Sequence, residues 1–123
     1  MAHILVVDDD EIVGEVFKEF LELDRHQVTL CSSGDEAEKV AEKEDFALII
    51  VDLIMPGKEG LETIKDLRAH QEDVKIIATT GKNFQEGYDM MQAASILGAD
   101  ALLPKPFTYL DLQEVVRTLF NQK

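Results

Sequence analysis

Five residues whose side chains are able to act together chemically follow short apolar segments of the chain. They are Asp8, Asp9, Asp52, Thr80 and Lys105. Asp52 ends a run of β-forming residues, and a carboxylate in that position costs free energy to bury. We therefore expect Asp52 to face a solvent-filled crevice, a cation or a lysine.

The three aspartates would repel one another if they met at one edge of a sheet. A hard divalent cation removes this conflict, and Mg²⁺ binds carboxylate oxygens together with phosphate oxygens. An aspartate beside Mg²⁺ is also a nucleophile that can form an acyl phosphate. Lys105 would then neutralise one phosphoryl oxygen while the Thr80 hydroxyl donates to another. The residue types therefore indicate phosphoryl chemistry.

Each of these residues also has an ordinary interpretation when it is taken alone. The acids at 8–10 are typical of a helix start, and Asp52 is compatible with a turn at the end of a strand. Thr80 is compatible with a strand end and Lys105 with the protein surface. Their joint placement after four separate predicted strands favours one shared site.

Hydrophobic patterning predicts five strands that alternate with five helices. The predicted strands span 4–7, 27–31, 46–51, 74–79 and 101–103. The first two predicted helices end near Leu23 and Lys43, and Ser33 followed by Glu36 is a capping signature at the start of the second. The third is marked by Leu61, Ile64 and Leu67. The fourth spans 88–97, after a polar segment at 82–87, and Thr108 caps the fifth. This alternation predicts a parallel sheet with helices on both faces.

Composition excludes several classes of protein. The chain has 123 residues, 46% hydrophobic residues and a formal net charge of −13, which predicts one acidic globular domain without direct nucleic-acid binding. It has one cysteine, Cys31, and therefore no intrachain disulfide. No apolar run reaches the ~20 residues of a membrane span, and no export signal is recognisable. We expect a cytoplasmic protein without membrane contact.

The sequence resembles the receiver domain of two-component response regulators over its whole length. The motifs are Ile4-Leu5-Val6-Val7-Asp8-Asp9, Ile49 to Pro56 with Gly60, Thr80-Gly81 and Lys105-Pro106-Phe107. The resemblance implies a flavodoxin-like α/β fold in a single receiver domain at 1–123. Its doubly wound parallel sheet would have five strands in the order 2-1-3-4-5, flanked by five helices.

The resemblance also implies a role for each site residue. Asp52 would accept a phosphoryl group from a histidine kinase or a phosphotransfer protein. Thr80 matches the switch hydroxyl, and Lys105 matches the phosphate-binding lysine. The Lys105–Pro106 peptide bond would be cis.

The implied cofactor is Mg²⁺. Asp9 would bind it directly, Asp8 through water, and Asp52 and the backbone carbonyl of Ile54 would complete the protein ligands. Asp10 extends the acidic pair and is interpreted either as an outer neighbour of this site or as a helix-start acid.

Receivers of this family catalyse only their own phosphorylation and dephosphorylation, so we expect a signalling domain rather than an enzyme. Phosphorylation would switch a surface that contacts a downstream protein target or output domain, and a phosphorylation-dependent dimer is compatible with this role. Leu102 occupies a position that is usually aromatic in the family. We therefore expect other residues to carry the output switch.

Three alternatives remain open at this point. An aspartyl phosphatase would usually have a second aspartate at position 54, where this chain has Ile54. A flavin-binding protein would need a phosphate-binding loop after the first strand, where the acids at 8–10 would repel phosphate. A receiver-like protein that only binds partners would not need the five site residues.

Overall fold

The computed structural model describes residues 2–55, 60–81 and 84–121, with residues 84–88 described by their backbone only. Pro56, which ends one of the sequence motifs, and the polar positions 82 and 83 lie outside the described residues.

Five parallel strands form the sheet within these residues. They are β1 (His3–Val7), β2 (Gln27–Cys31), β3 (Leu48–Asp52), β4 (Lys75–Thr80) and β5 (Ala101–Pro104). Their order is β2-β1-β3-β4-β5, and every pairing is parallel. Five helices alternate with them: α1 (Glu11–Leu23), α2 (Gly34–Lys43), α3 (Gly60–His70), α4 (Phe84–Leu97) and α5 (Tyr109–Phe120). The predicted fold class and strand order are confirmed.

Two apolar clusters cover the two faces of the sheet, and this explains why the strands are almost continuously apolar. Ile4, Ile50 and Ile77 pack with residues of α1 and α5. Ile49 and Ile76 belong to the opposite cluster, which includes residues of α2, α3 and α4. No helix among the described residues is both long enough and apolar enough to cross a membrane.

Local features at the helix ends determine where several helices begin or end. Ser33 accepts a hydrogen bond from the backbone N–H of Glu36 at 3.2 Å, as its spacing predicts. Thr108 and Asp111 form a reciprocal capping box at the start of α5. Gly98 follows α4 with φ +122°, a conformation that glycine adopts without strain.

Several predicted boundaries were wrong, most clearly those of β3, β4 and α4. Strand β3 begins at Leu48 and includes Asp52, and β4 spans Lys75–Thr80, so both strands extend further towards the site than the apolar pattern indicates. Helix α4 begins at Phe84 rather than at Tyr88. Gln85 and Glu86 are good helix formers, and the polar character of this segment hid the first turn.

Candidate functional site

All five predicted site residues lie at the carboxyl edge of the sheet. Asp52 and Thr80 are the last residues of β3 and β4, Asp8 and Asp9 follow β1, and Lys105 follows β5. Because the strands are parallel, these ends meet at one edge, beside the central strands where the strand order reverses.

The three carboxylates converge on one small volume. Asp8, Asp9 and Asp52 each offer an oxygen, and these oxygens lie within 4.8 Å of one another. Asp8 and Asp52 are buried, each with 6% of its surface exposed, whereas Asp9 is exposed. An oxygen-only set with one open side fits Mg²⁺, which retains several of its waters. The donor chemistry therefore suits a hard divalent cation.

Lys105 connects two of these carboxylates. Its Nζ donates to Asp8 Oδ2 at 2.8 Å and lies 3.4 Å from Asp52 Oδ2. Burial lowers the pKa of Lys105, but the hydrogen bond to Asp8 and the charges of Asp52 and Asp8 outweigh burial and raise it. The lysine is therefore a fixed positive charge at the site.

Burial raises the pKa of Asp52 to about 6. The backbone N–H of Ile54 donates to Asp52 Oδ1 at 3.1 Å, and this bond and Lys105 oppose the rise while the charge of Asp8 adds to it. Ile54 is thereby held at the site through its backbone. A cation at the three carboxylates would favour the ionised form of Asp52.

The acidic run at 8–10 divides into two functions. Asp10 caps α1, because its Oδ1 accepts from the N–H of Ile12 at 3.0 Å and of Val13 at 3.3 Å. Asp8 turns into the site and accepts from the N–H of Asp10 at 2.9 Å. Of the two interpretations of Asp10, the structure supports the helix-start acid.

A backbone hydrogen bond connects the end of β4 to the residue after β5, next to the buried Thr80. The N–H of Lys105 donates to the Thr80 carbonyl at 3.0 Å. A Cβ added to Gly81 would lie 3.7 Å from both Cβ and Cδ of Lys105, so the lysine stem covers the end of β4. The Lys105–Pro106 peptide bond is cis, as expected.

Two contacts beside the site were not predicted from the sequence, one of Thr79 and one of Phe107. Thr79 pairs with Asp52 across β3 and β4 and is fully buried. Phe107 stacks on Phe17 with ring centroids 4.6 Å apart, which anchors the segment after Lys105 to α1. The aromatic residue directly after Lys105-Pro106 was a signal for the stacking of Phe107 on Phe17. A threonine inside an apolar strand gives no signal for the position of Thr79 beside Asp52.

Comparison with known proteins identifies a family for this arrangement. A family model described as the response regulator receiver domain matches residues 4–117. The response regulator SaeR of Staphylococcus epidermidis is 33% identical over 118 residues, which are 96% of this chain and 49% of that protein. The chain thus spans about half the length of the curated relatives it matches.

Solved structures show the same fold. The chemotaxis protein CheY4 of Vibrio cholerae superposes with a TM-score of 0.87 at 28% identity, covering 96% of this chain and 98% of that one. The response regulator TrrA of Thermotoga maritima, solved in complex with Mg²⁺-BeF, has a TM-score of 0.83 at 33% identity. That match covers 97% of this chain and 99% of TrrA.

Proposed function

The chain belongs to the response regulator receiver domain family, and on that premise we propose that Asp52 accepts a phosphoryl group in a Mg²⁺-dependent reaction. The observation that carries the proposal is the meeting of Asp52 with two further carboxylates and with the ammonium of Lys105. Within the described residues this is the set that offers both a nucleophile and groups that neutralise phosphoryl charge.

The proposed ligands of Mg²⁺ are the carboxylates of Asp8, Asp9 and Asp52 and the backbone carbonyl of Ile54. The ion would supply positive charge beside the phosphoryl oxygens. An Asp52 carboxylate oxygen attacks phosphorus, its new O–P bond forms as the bond to the donor breaks, and the product is an acyl phosphate. Asp52 is positioned for this by the N–H of Ile54, which fixes the other carboxylate oxygen.

Two groups of this chain are proposed to stabilise the charge on the transferred group. Lys105 brings a half-buried ammonium that lies 3.4 Å from Asp52 Oδ2, close to where phosphoryl oxygens would lie. Thr80 ends the neighbouring strand and would donate its hydroxyl to another phosphoryl oxygen. The same hydroxyl is the proposed sensor of phosphorylation.

We propose a histidine kinase or a phosphotransfer protein as the phosphoryl donor. The receiver domain would extend over 1–123, work in the cytoplasm and act on its own phosphorylation rather than on a separate substrate. Its output would pass to a downstream protein or output domain, or to a phosphorylation-dependent dimer. The net charge of −13 supports protein partners rather than direct contact of this domain with nucleic acid.

The test is incubation with acetyl phosphate and Mg²⁺ followed by intact-mass measurement. We expect one phosphoryl adduct on the wild type and none on Asp52→Asn or in the presence of a chelator. Asp45→Asn removes an exposed carboxylate and is the matched control that should keep the adduct. A wild type without an adduct would contradict the proposed function.

A further inference from the structure

Thr79 carries a buried hydroxyl on β4, one residue before Thr80. Its side chain is 0% exposed, and its Oγ1 has no hydrogen-bond partner among the residues that the structure describes. An unpaired buried hydroxyl is destabilising, and most buried polar groups are paired. A valine would fill the same space without the free-energy cost of an unpaired hydroxyl. A hydrogen bond that forms in another state of the site would explain why a threonine is present.

The sheet register places this hydroxyl beside the site. Thr79 pairs with Asp52 on one side and with Leu103 on the other. It lies two residues after Ile77, as Asp52 lies two residues after Ile50, so all four side chains share one face of the sheet. That face is the one covered by α1 and α5.

The side chain of Lys105 crosses the end of β4 on its way to the carboxylates. Its backbone N–H is bonded to the Thr80 carbonyl at 3.0 Å, and its stem covers Gly81. Its Nζ reaches past β4 to Asp8, which follows β1, at 2.8 Å. The lysine stem therefore lies over Gly81, two residues after Thr79, and an ammonium has three hydrogens to donate.

The two carboxylates that hold the ammonium are also proposed ligands of Mg²⁺. A dication held by Asp8 and Asp52 would repel the ammonium and would compete for the carboxylate oxygens that it now contacts. The ammonium then needs another acceptor, because its side chain is only 18% exposed and a charge with little access to water is stable only when it is hydrogen-bonded. Thr79 Oγ1 is a buried acceptor two residues before the glycine that the lysine stem covers, and it has no partner among the described residues.

We propose that Thr79 is a positioning residue for Lys105. In the Mg²⁺-bound site its hydroxyl oxygen accepts a hydrogen bond from the Lys105 ammonium and holds it next to the phosphoryl group on Asp52. The inference rests on the proposed function, since it assumes that the carboxylates bind Mg²⁺. It assigns Thr79 an interaction that forms only when the cation is present.

A double-mutant cycle with Thr79→Val and Lys105→Met tests this contact. Denaturant unfolding is measured for the four proteins with a chelator and again with saturating Mg²⁺. We expect coupling of about fivefold in the unfolding equilibrium constant with Mg²⁺ and none without it. Absence of coupling in Mg²⁺, or equal coupling in both conditions, would overturn the proposal.

Thr29→Val is the matched control for this cycle. Thr29 is a strand threonine on β2 whose Oγ1 is bonded to His3 Nε2 at 2.9 Å, so it should show no coupling to Lys105. Without metal, Thr79→Val should be at least as stable as the wild type. A loss of stability there would show that the hydroxyl already has a structural role, which also contradicts the proposal.

The rate of phosphorylation gives a second measurement. With acetyl phosphate and saturating Mg²⁺, Thr79→Val should react about fivefold more slowly, and Thr79→Ser, which keeps the hydroxyl, should react at nearly the wild-type rate. A wild-type rate in Thr79→Val would count against the positioning role. If the wild type itself forms no adduct, the proposed function fails, whereas the unfolding cycle still decides whether Thr79 and Lys105 interact.

Discussion

At the scale of single residues, the site carries an excess of negative charge. Among the described residues, three carboxylates face the ammonium of Lys105, so ionisation of all three leaves two negative charges in excess. Asp52 is buried, its pKa is raised by burial, and the backbone N–H of Ile54 donates to it at 3.1 Å. This state is poor for stability and suited to binding a dication.

The buried carboxylate predicts a pH dependence of stability. Burial raises the pKa of Asp52 to about 6 in the folded protein, above the ordinary aspartate value of 3.8. Between these values the folded state holds a proton that the unfolded state has lost, so stability falls as pH rises. The metal-free wild type should therefore lose about 3 kcal/mol relative to Asp52→Asn between about pH 4 and pH 6. Urea unfolding with a chelator at several pH values measures this difference.

Asp45→Asn is the control for that series, because it removes the same charge from an exposed position. It reports the effect of net charge alone. A difference between Asp52→Asn and the wild type that stays constant from pH 4 to pH 6 would show that the carboxylate is not held in a desolvated environment.

At the scale of elements, helix α3 is packed directly onto the end of β3. A Cβ added to Gly60 would overlap the backbone oxygen of Asp52 and would lie 2.5 Å from Leu53 Cα. Both obstacles are backbone atoms, so a change of side-chain rotamer cannot relieve them. The first residue of α3 therefore helps to hold the strand end that carries Asp52.

Gly60→Ala should destabilise the protein by about 3 kcal/mol, because overpacking against backbone forces the helix away from the strand. The measurement is the free energy of unfolding in urea, combined with the phosphorylation yield from acetyl phosphate. Both should fall together, since α3 and the strand end at Asp52 are in contact.

Gly14→Ala is the opposite case and a matched control. Gly14 lies inside α1, and an added Cβ would meet Leu30 Cδ1 at 3.8 Å, an ordinary contact. Alanine in a helix interior should stabilise the protein by about 0.5–1 kcal/mol. Equal effects of the two substitutions would be incompatible with the close packing of α3 on β3.

Sequence reasoning predicts the elements well because each is determined by local features. The apolar run at 4–7 and the caps at Ser33 and Thr108 act within a few residues, and the structure contains them as predicted. The meeting of the five site residues is also predictable from the sequence, because parallel strands bring their carboxyl ends to one edge of the sheet. Strand ends are less predictable, since Asp52 is polar yet remains part of the ladder of β3.

Contacts between distant segments could not be predicted in this way. Arg68 on α3 donates to the carbonyls of Val74 and Gly98, at 2.6 and 2.8 Å, and pairs with Asp100 at 2.8 Å. The sequence marks Arg68 only as a base near a helix end. The unpaired hydroxyl of Thr79 is similar, because its partners depend on which strands are neighbours and on how Lys105 crosses them.

At the scale of the whole molecule, general and local electrostatics act in the same direction. The chain carries a formal net charge of −13, so any salt should screen repulsion and stabilise it. Mg²⁺ should do more than screen, because a ligand that binds only the folded protein adds stability that grows with its concentration. The two contributions can be separated by experiment.

We expect the melting temperature to rise more in MgCl₂ than in NaCl of equal ionic strength, with the excess equivalent to about 1–3 kcal/mol once Mg²⁺ is well above its dissociation constant. Asp9→Asn should lose the excess and keep the common rise, because it removes one ligand and leaves the rest of the surface charge in place. Glu11→Gln, an exposed acid at the start of α1, should keep both and serves as the control for position and charge. If the two salts stabilise the wild type equally, the three carboxylates do not form a cation site, and Lys105 offsets their negative charge without a bound Mg²⁺.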